Sequence, residues 1–220
     1  QNEESSGNST SRPGSVAYFR RKALYALSAI LDSNIPAQER FCDAQGDRAV
    51  LDALLKSLET ISKSEILEET SSGTRRDHLG VLRKTIGLIH RILSGFQADP
   101  GLFSERLIQR WSNSPALCTT VLETLKKSEV DYMLAESTLK LTKVLMDGSK
   151  CHCVNEFTSA LPNLTLESSI VKILSAFGSP ESPEEVESEY DDSIGKIIRG
   201  VRNQFQTCLQ KHEGRGTSRS

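Results

Sequence analysis

The stretch VAYFRRKALYALSAILD, from Val16 to Asp32, decides the fold class of this chain. Its apolar residues recur every three or four positions, a spacing that places them on one face of an α-helix. The buried face predicted from this spacing carries five residues: Ala23, Leu24, Leu27, Ile30 and Leu31. The stretch therefore predicts a long amphipathic helix near the start of the sequence.

Two later stretches repeat the pattern, at about Asp77–Ser94 and Val130–Met146. The aligned positions are Leu24, Leu27, Ile30 and Leu31, then Ile86, Ile89, Ile92 and Leu93, then Thr138, Leu141, Val144 and Leu145. Each long helix is followed by two shorter ones, which is the order of an armadillo-type repeat. The sequence predicts an all-α fold, an armadillo- or HEAT-like right-handed superhelical solenoid with C-terminal capping helices. An irregular helical bundle is the alternative.

The shorter helices are predicted from the same spacing and from their turn residues. They cover about Pro36–Ala44, Arg48–Ile61, Leu102–Trp111, Ala116–Lys126, Leu164–Phe177 and Asp191–Lys211. Two polar stretches, Ser62–Arg76 and Ser179–Tyr190, predict connectors. Residues 15–211 then form one armadillo-like domain, which we expect to be the C-terminal part of a longer protein. Residues 1–14 and 212–220 are polar and are predicted to be disordered.

Charge and motif content exclude several classes of function. The 220 residues carry 27 basic and 29 acidic side chains, a net charge of −2, so nucleic acid is not an expected partner. No apolar run approaches the roughly 20 residues that span a bilayer, so membrane insertion is not expected. The sequence has no glycine-rich phosphate loop, no HExxH and no GxSxG motif. We therefore predict that the chain is not an enzyme and needs no cofactor.

The five cysteines are too few and too scattered to predict a disulfide framework. Their only cluster, Cys151-His152-Cys153, offers three possible zinc ligands without the fourth that zinc requires. We predict a plain loop between helices there, rather than a metal or redox site, and expect no metal. Asn8 and Asn163 begin N-glycosylation sequons and are consistent with a secretory compartment.

The side of the first long helix opposite its buried face carries two tyrosines one heptad apart, Tyr18 and Tyr25. No core requires them there, and tyrosine beside lysine is typical of protein interfaces. In an armadillo stack the long helices line the concave surface, so equivalent positions would form one exposed strip. The strip comprises Tyr18, Lys22, Tyr25 and Ala29; Gly80, Lys84, Gly87 and Arg91; and Tyr132, Glu136, Leu139 and Lys143. An ordinary solvated face is the alternative.

Nine positions of this strip are candidate partner-binding residues: Tyr18, Lys22, Tyr25, Gly80, Lys84, Gly87, Arg91, Tyr132 and Lys143. A glycine inside a helix costs roughly 1 kcal/mol relative to alanine. We therefore expect Gly80 and Gly87 to serve a purpose, the close approach of a partner. The strip is also locally basic, with Glu136 as its only acid.

The segment RRKALYALSAILDSNIPAQERFCDAQGDRAVL, from Arg20 to Leu51, resembles the armadillo-type nucleotide exchange factors of DnaK-type heat-shock chaperones. The matching residues are Lys22, Leu24, Ala26, Leu27, Leu31, Ala37, Gln38, Phe41, Gly46 and Leu51. The later stretches VLRKTIGLIHRIL, RLIQRWSNSP and SIGKIIRGVRNQFQTCL are most similar to the endoplasmic-reticulum, Sil-type branch, which acts on BiP. The sequence departs from the family pattern at Ile35, within the usual Asn-Pro turn, and at Gln45-Gly46, where Gly-Gly is usual.

This resemblance implies a co-chaperone without chemistry of its own. The concave surface would clasp lobe II of the nucleotide-binding domain of a BiP-type chaperone and promote the release of ADP. The protein would act as a monomer in the endoplasmic reticulum lumen, in protein folding and translocation. A cytosolic member of the same family and a generic armadillo interaction scaffold are the alternatives, and the terminal Thr-Ser-Arg-Ser is not a KDEL-type retention signal.

Overall fold

The computed structural model describes residues 16–67, 72–128, 131–146, 153–159, 166–177 and 191–216. Its helices are α1 (Val16–Leu31), α2 (Ile35–Asp43), α3 (Gly46–Leu67), α4 (Ser72–Ala98), α5 (Glu105–Ser112), α6 (Pro115–Lys127), α7 (Tyr132–Met146), α8 (Val154–Ser159), α9 (Leu166–Phe177) and α10 (Asp191–Gly216). A short 3-10 turn at Pro100–Leu102 follows α4. Within these residues the regular structure is entirely helical, which confirms the predicted all-α class.

Four helices lie side by side in one row, in the order α1, α4, α7, α10. A second layer consists of α3, which packs on α4 and α6, and of α6, which also contacts α7, α8 and α9. The core between the layers includes fully buried residues from both, such as Leu54 of α3, Ile89 of α4 and Leu141 of α7. Two of these three residues belong to the repeated apolar positions that the sequence revealed.

The connection between α1 and α2 is fixed by two side chains. Asn34 caps α2, because its Oδ1 accepts the backbone N–H of Ala37 at 3.1 Å. Gln38 is fully buried, and its Nε2 donates to the Leu31 carbonyl at 2.7 Å. Its Oε1 accepts the Ser104 N–H at 2.6 Å. A single amide thus links α1, α2 and the start of α5 without leaving its own polar atoms unpaired.

A tight turn between α2 and α3 brings an aromatic pair together. The rings of Phe41 and Trp111 meet edge to face, with centroids 6.4 Å apart. Gly46 leaves space for this arrangement, because a Cβ at that position would overlap the Phe41 ring. The preceding Gln45 has a φ of 56°, a left-handed conformation that glycine adopts more readily. Gln45 stands where the resembling family usually has glycine, and the turn forms despite this difference.

A disulfide joins Cys118 of α6 to Cys153, directly before α8, with the Cα atoms 5.3 Å apart. Cys208 of α10 is also disulfide-bonded. The expectation that the cysteines form no disulfide framework is therefore wrong for Cys118 and Cys153. Residues 151 and 152 of the predicted loop lie outside the described residues. The pairing was hidden because 35 residues separate the partners in sequence, and only the packing of α8 on α6 brings the sulfurs together.

The predicted connector between α3 and α4 is mostly helical. α3 ends at Leu67 instead of Ile61, and α4 begins at Ser72 instead of Asp77. Polarity misled the prediction, because lysine, glutamate and similar residues form helices well wherever solvent can reach them. Polar composition alone therefore did not indicate a loop.

Other segments also depart from the expected boundaries. The short helix α8 was not predicted, and α10 continues to Gly216, past the expected end at Lys211. Of the tail 212–220, predicted to be disordered, residues 212–216 are instead part of α10, and that prediction is wrong there. Residues 217–220 and 1–14, also predicted to be disordered, lie outside the described residues, as does the connector Ser179–Tyr190.

Two residues assigned to the buried face of α1 are in fact exposed. Ala23 faces solvent, and the side chain of Ile30 is 56% exposed. The buried stripe is narrower than predicted and consists of Ala17, Leu24 and Leu31. The reason is position in the row, because α1 lies at one end and packs mainly on α4 and α2.

Candidate binding groove

α1 and α4 leave a groove between them, with a volume of about 260 Å³. Its lining residues are Leu24, Tyr25, Ser28 and Ala29 of α1 and Arg83, Lys84, Gly87, Leu88 and Arg91 of α4. We call this the α1/α4 groove. Four of the nine predicted partner-binding residues thus meet in one place: Tyr25, Lys84, Gly87 and Arg91.

The α1/α4 groove is locally positive. Its lining contains the three basic side chains of Arg83, Lys84 and Arg91 and no acidic one, although Arg83 Nε lies 3.8 Å from Asp131 Oδ2. The Nζ atom of Lys84 lies 5.1 Å from the centroid of the Tyr25 ring, a cation–π contact across the groove. Arg91 Nη1 is 3.4 Å from Asp32 Oδ2, but both side chains are exposed and water screens such pairs strongly. The net charge of the whole chain conceals this concentration of positive charge.

The other two candidates on α1 lie toward its N-terminus, outside the lining of the groove. The guanidinium carbon of Arg21 lies 5.6 Å from the centroid of the Tyr18 ring. The Nζ atom of Lys22 lies 5.7 Å from the same centroid. Phe19 meets the same ring edge to face at 5.7 Å. Arg21 also reaches Asp77 of α4, at 3.8 Å. Tyr18 and Lys22 therefore extend the aromatic and basic character of the groove along α1.

The two glycines of α4 differ in their surroundings. A Cβ at Gly80 would lie 3.0 Å from the Cδ atom of Arg21, so Gly80 leaves room for the Arg21 side chain of α1. Its predicted role in partner binding stays a prediction. A Cβ at Gly87 would meet no other atom within 4 Å. Gly87 therefore keeps the floor of the α1/α4 groove open.

The predicted strip does not continue as an exposed row onto α7. Leu139, one of its four positions there, is fully buried, and Tyr132 is half-buried against the core. Lys143 is exposed but lies near α10, since a Cβ on Gly200 would be 3.5 Å from its Cε. The interruption arises because α7 has α4 on one side and α10 on the other, with α6 also packed on it.

Two histidines of α4 contribute no charge to the groove at neutral pH. Burial lowers the pKa of His78 below its ordinary value of 6.5, and the positive charge of Arg20 lowers it further. Burial also lowers the pKa of His90, and Lys140 acts in the same direction. Both imidazoles are therefore neutral at pH 7.

No group of three His, Cys, Asp or Glu side chains in the described ranges could hold a metal ion. No helix there has both the length and the apolar character needed to cross a membrane. The candidate glycosylation residues Asn8 and Asn163 lie outside the described residues.

Sequence reasoning missed one basic residue of the groove and a second exposed surface. Arg83 lines the groove but was not among the predicted candidates. Its position directly before Lys84 was the signal that could have indicated it. Val16, Phe19 and Ile30 form an exposed apolar face of α1. Their spacing was visible in the sequence, but a single buried stripe was assumed for the helix.

Comparisons with protein-family models, with curated proteins and with solved structures give no match for this chain. A function for this chain is therefore inferred from the α1/α4 groove, from the disulfide and from the resemblance of Arg20–Leu51.

Proposed function

We propose that this protein is a nucleotide exchange factor for a BiP-type heat-shock chaperone, and that it binds the chaperone through the α1/α4 groove. The observation that carries the proposal is the convergence of Tyr25, Lys84, Gly87 and Arg91 on that one groove. Their helical positions in the sequence predict the same four residues as partner-binding candidates. They lie within or next to the helices that resemble the exchange-factor family.

The groove has the chemistry of a protein-binding site. Tyr25 is 66% exposed and presents a large rigid ring, which loses little entropy when it is buried by a partner. Lys84 and Arg91 would attract an acidic surface and increase the rate of encounter. Gly87 adds no side chain to the groove floor, so a partner side chain has room to enter. We expect an acidic region of the chaperone's nucleotide-binding domain to occupy the groove.

Exchange would follow from differential binding to two conformations of the chaperone. A chaperone lobe held in the groove would be stabilised in the open form of the nucleotide cleft, from which ADP leaves. The factor promotes opening only to the extent that it binds the open form more tightly than the closed form. No catalytic side chain is required, and we propose that the protein is not an enzyme and uses no cofactor.

We also propose that the helices form an armadillo-like solenoid. The row α1, α4, α7, α10 and the layer containing α3 and α6 support this proposal, because stacked repeats place equivalent helices next to each other. The helix α10 would cap the stack at its C-terminal end.

We propose the endoplasmic reticulum lumen as the location. The disulfide between Cys118 and Cys153 supports an oxidising compartment, since disulfides are rare in cytosolic proteins. The disulfide therefore favours a lumenal location over a cytosolic one for a member of this family.

The test is the release of labelled ADP from a full-length lumenal chaperone of this class. The wild-type chain should accelerate release, and the double variant Tyr25→Ala/Lys84→Ala should bind about 30-fold more weakly, equivalent to about 2 kcal/mol. Both side chains are exposed, so the variant should keep its circular dichroism spectrum and melting temperature.

A matched control removes one apolar and one basic exposed residue from another helix, as Leu55→Ala/Lys56→Ala on α3. This control should accelerate release as well as the wild type does. Failure of the wild-type chain to accelerate release would favour a generic interaction scaffold. Acceleration that is equally strong in the Tyr25→Ala/Lys84→Ala variant would exclude the groove as the binding site.

A further inference from the structure

α1 carries an apolar stripe that faces solvent. Val16, Phe19 and Ile30 are 65%, 61% and 56% exposed, and Ala23 and Ala26 are exposed between them. The intervals along the stripe are three, four, three and four residues, which keeps all five side chains on one face of the helix. We call these residues the outer stripe.

The outer stripe lies on the side of α1 that is turned away from α4. The residues of α1 that contact or face α4 include Arg21, Leu24 and Tyr25. At about 100° per residue, their mean direction is roughly opposite that of the stripe. The stripe is therefore separate from the α1/α4 groove and forms the outer surface of the row.

At the other end of the row, the exposed surface of α10 is polar instead of apolar. Among residues 194–211 of α10, whose side chains the structure describes, the exposed ones are all polar: Lys196, Arg199, Asn203, Gln206, Thr207, Gln210 and Lys211. A polar outer face is what keeps the terminal helix of a stack soluble. The outer stripe of α1 instead resembles the face of a helix that receives a neighbour, since it has the anchor spacing of helix-in-groove recognition.

Charge around the stripe restricts what that neighbour is. α1 contains three basic residues, Arg20, Arg21 and Lys22, and no acidic residue. By helical angle, Arg20 and Lys22 flank the stripe on its two sides. We propose that the outer stripe binds an amphipathic helix of a partner protein, whose apolar residues are flanked by glutamate or aspartate. This binding surface is additional to the groove and does not depend on the proposed exchange activity.

Two other occupants fit less well. Residues 1–15 contain no aliphatic or aromatic side chain with which to fill the stripe. A second copy of α1 would place Lys22 near its own symmetry mate, because the stripe is centred on Ala23. The helix is roughly 24 Å long and about 10 Å wide, so an α1–α1 contact would cover a few hundred Å² per copy, below the roughly 800 Å² of a stable dimer.

The test uses a fluorescein-labelled peptide of three heptads, with Leu at positions a and d and Glu at positions e and g. A matched peptide carries Lys in place of Glu. Fluorescence anisotropy with the full chain should show saturable binding of the Glu peptide, at least tenfold tighter than that of the Lys peptide. Phe19→Ser/Ile30→Ser should reduce this affinity at least tenfold, and Arg20→Glu/Lys22→Glu should reverse the preference between the peptides.

Met133→Ser is the matched control, because Met133 is 55% exposed on α7, and it should bind the Glu peptide as the wild type does. Tyr25→Ala/Lys84→Ala should also bind the peptide normally, which separates this surface from the groove. The proposal is overturned if the Glu peptide shows no saturable binding, if the Lys peptide binds equally well, or if Met133→Ser loses as much affinity as the stripe variant. Sedimentation showing a dimer that Phe19→Ser/Ile30→Ser dissolves would assign the stripe to a second copy and would also overturn it.

Discussion

The two ends of the helix row differ in what they present to solvent. At one end, α10 shows a polar outer face and buries Ile194, Ile198 and Val201 on its inner side. At the other, α1 exposes large apolar side chains, two of which are Phe19 and Ile30, beside a basic groove. In the C-terminal half a disulfide joins Cys118 of α6 to Cys153, directly before α8, and Cys208 of α10 is also disulfide-bonded. Within the described residues, the α10 end of the row therefore presents a polar surface, whereas the α1 end presents apolar and basic surfaces.

The largest expected effect comes from removing the disulfide between Cys118 and Cys153, in the C-terminal half. Cys118→Ala/Cys153→Ala should lower the free energy of unfolding by about 4 kcal/mol, because the bond closes a loop of 35 residues and restricts the unfolded chain. Denaturant midpoints measure the loss. Amide hydrogen exchange should accelerate in α6 and α8 and stay nearly unchanged in α1. A loss that is concentrated in α1 would contradict the distinction between the ends.

The same substitution, Ile to Ala, can be made at each end of the row to compare its effect on stability. Ile198 of α10 is 2% exposed and Ile30 of α1 is 56% exposed. Ile198→Ala should cost about 3 kcal/mol of unfolding free energy, because it leaves a cavity in the core. Ile30→Ala should change stability by at most about 0.5 kcal/mol, since little of its surface is buried. Equal losses in urea denaturation would show that the outer stripe is covered within the chain itself.

Two helix-interior glycines give a smaller effect of opposite sign. Gly87→Ala and Gly200→Ala should each stabilise the protein by about 0.5–1 kcal/mol, because alanine forms helices better and both sites have space for a methyl group. A Cβ on Gly200 would make only ordinary contact with Lys143, at 3.5 Å. Melting temperature measures both gains. Only Gly87→Ala should weaken chaperone binding, so a similar weakening by Gly200→Ala would contradict the placement of the site at the α1 end.

The smallest expected effect is a loss of folding stability at acidic pH. The pKa of His90 is lowered in the folded protein, so below the ordinary value of 6.5 the unfolded chain takes up a proton before the folded chain does. Stability is therefore complete above about pH 6.5 and falls as the pH decreases from there toward the lowered pKa. His78 acts in the same direction and also lies on α4.

The pH effect is measured from guanidinium midpoints between pH 7.5 and 5.5. His90→Gln should reduce the slope with pH over this interval, because glutamine does not titrate. Hydrogen exchange in acid should accelerate in α1 and α4 before the disulfide-linked helices. An unchanged slope in His90→Gln would show that His90 does not contribute.

Much of the fold was predictable because helix formation follows local spacing. Helices form at all three stretches predicted to be long, because their apolar spacing is local, although α3 with 22 residues is longer than α1 with 16 and α7 with 15. The groove was partly predictable for the same reason, since Tyr25 and Lys84 were chosen by their helical faces. The prediction failed for the part of the exposed strip on α7, where Leu139 is buried. The face of a helix in the sequence does not reveal how many neighbouring helices pack around it.

The sequence by itself determined the all-α class, the long helices and which faces of them are apolar, since these depend on intervals of three and four residues. Only the tertiary structure decided which apolar faces find a neighbour. α4 lies inside the row and buries its repeated apolar positions, and α7 buries Leu141 and Leu145 and partly buries Val144, whereas α1 exposes Ile30. The pairing of Cys118 with Cys153 was decided in the same way, because a contact across 35 residues depends on how helices pack and leaves no local pattern.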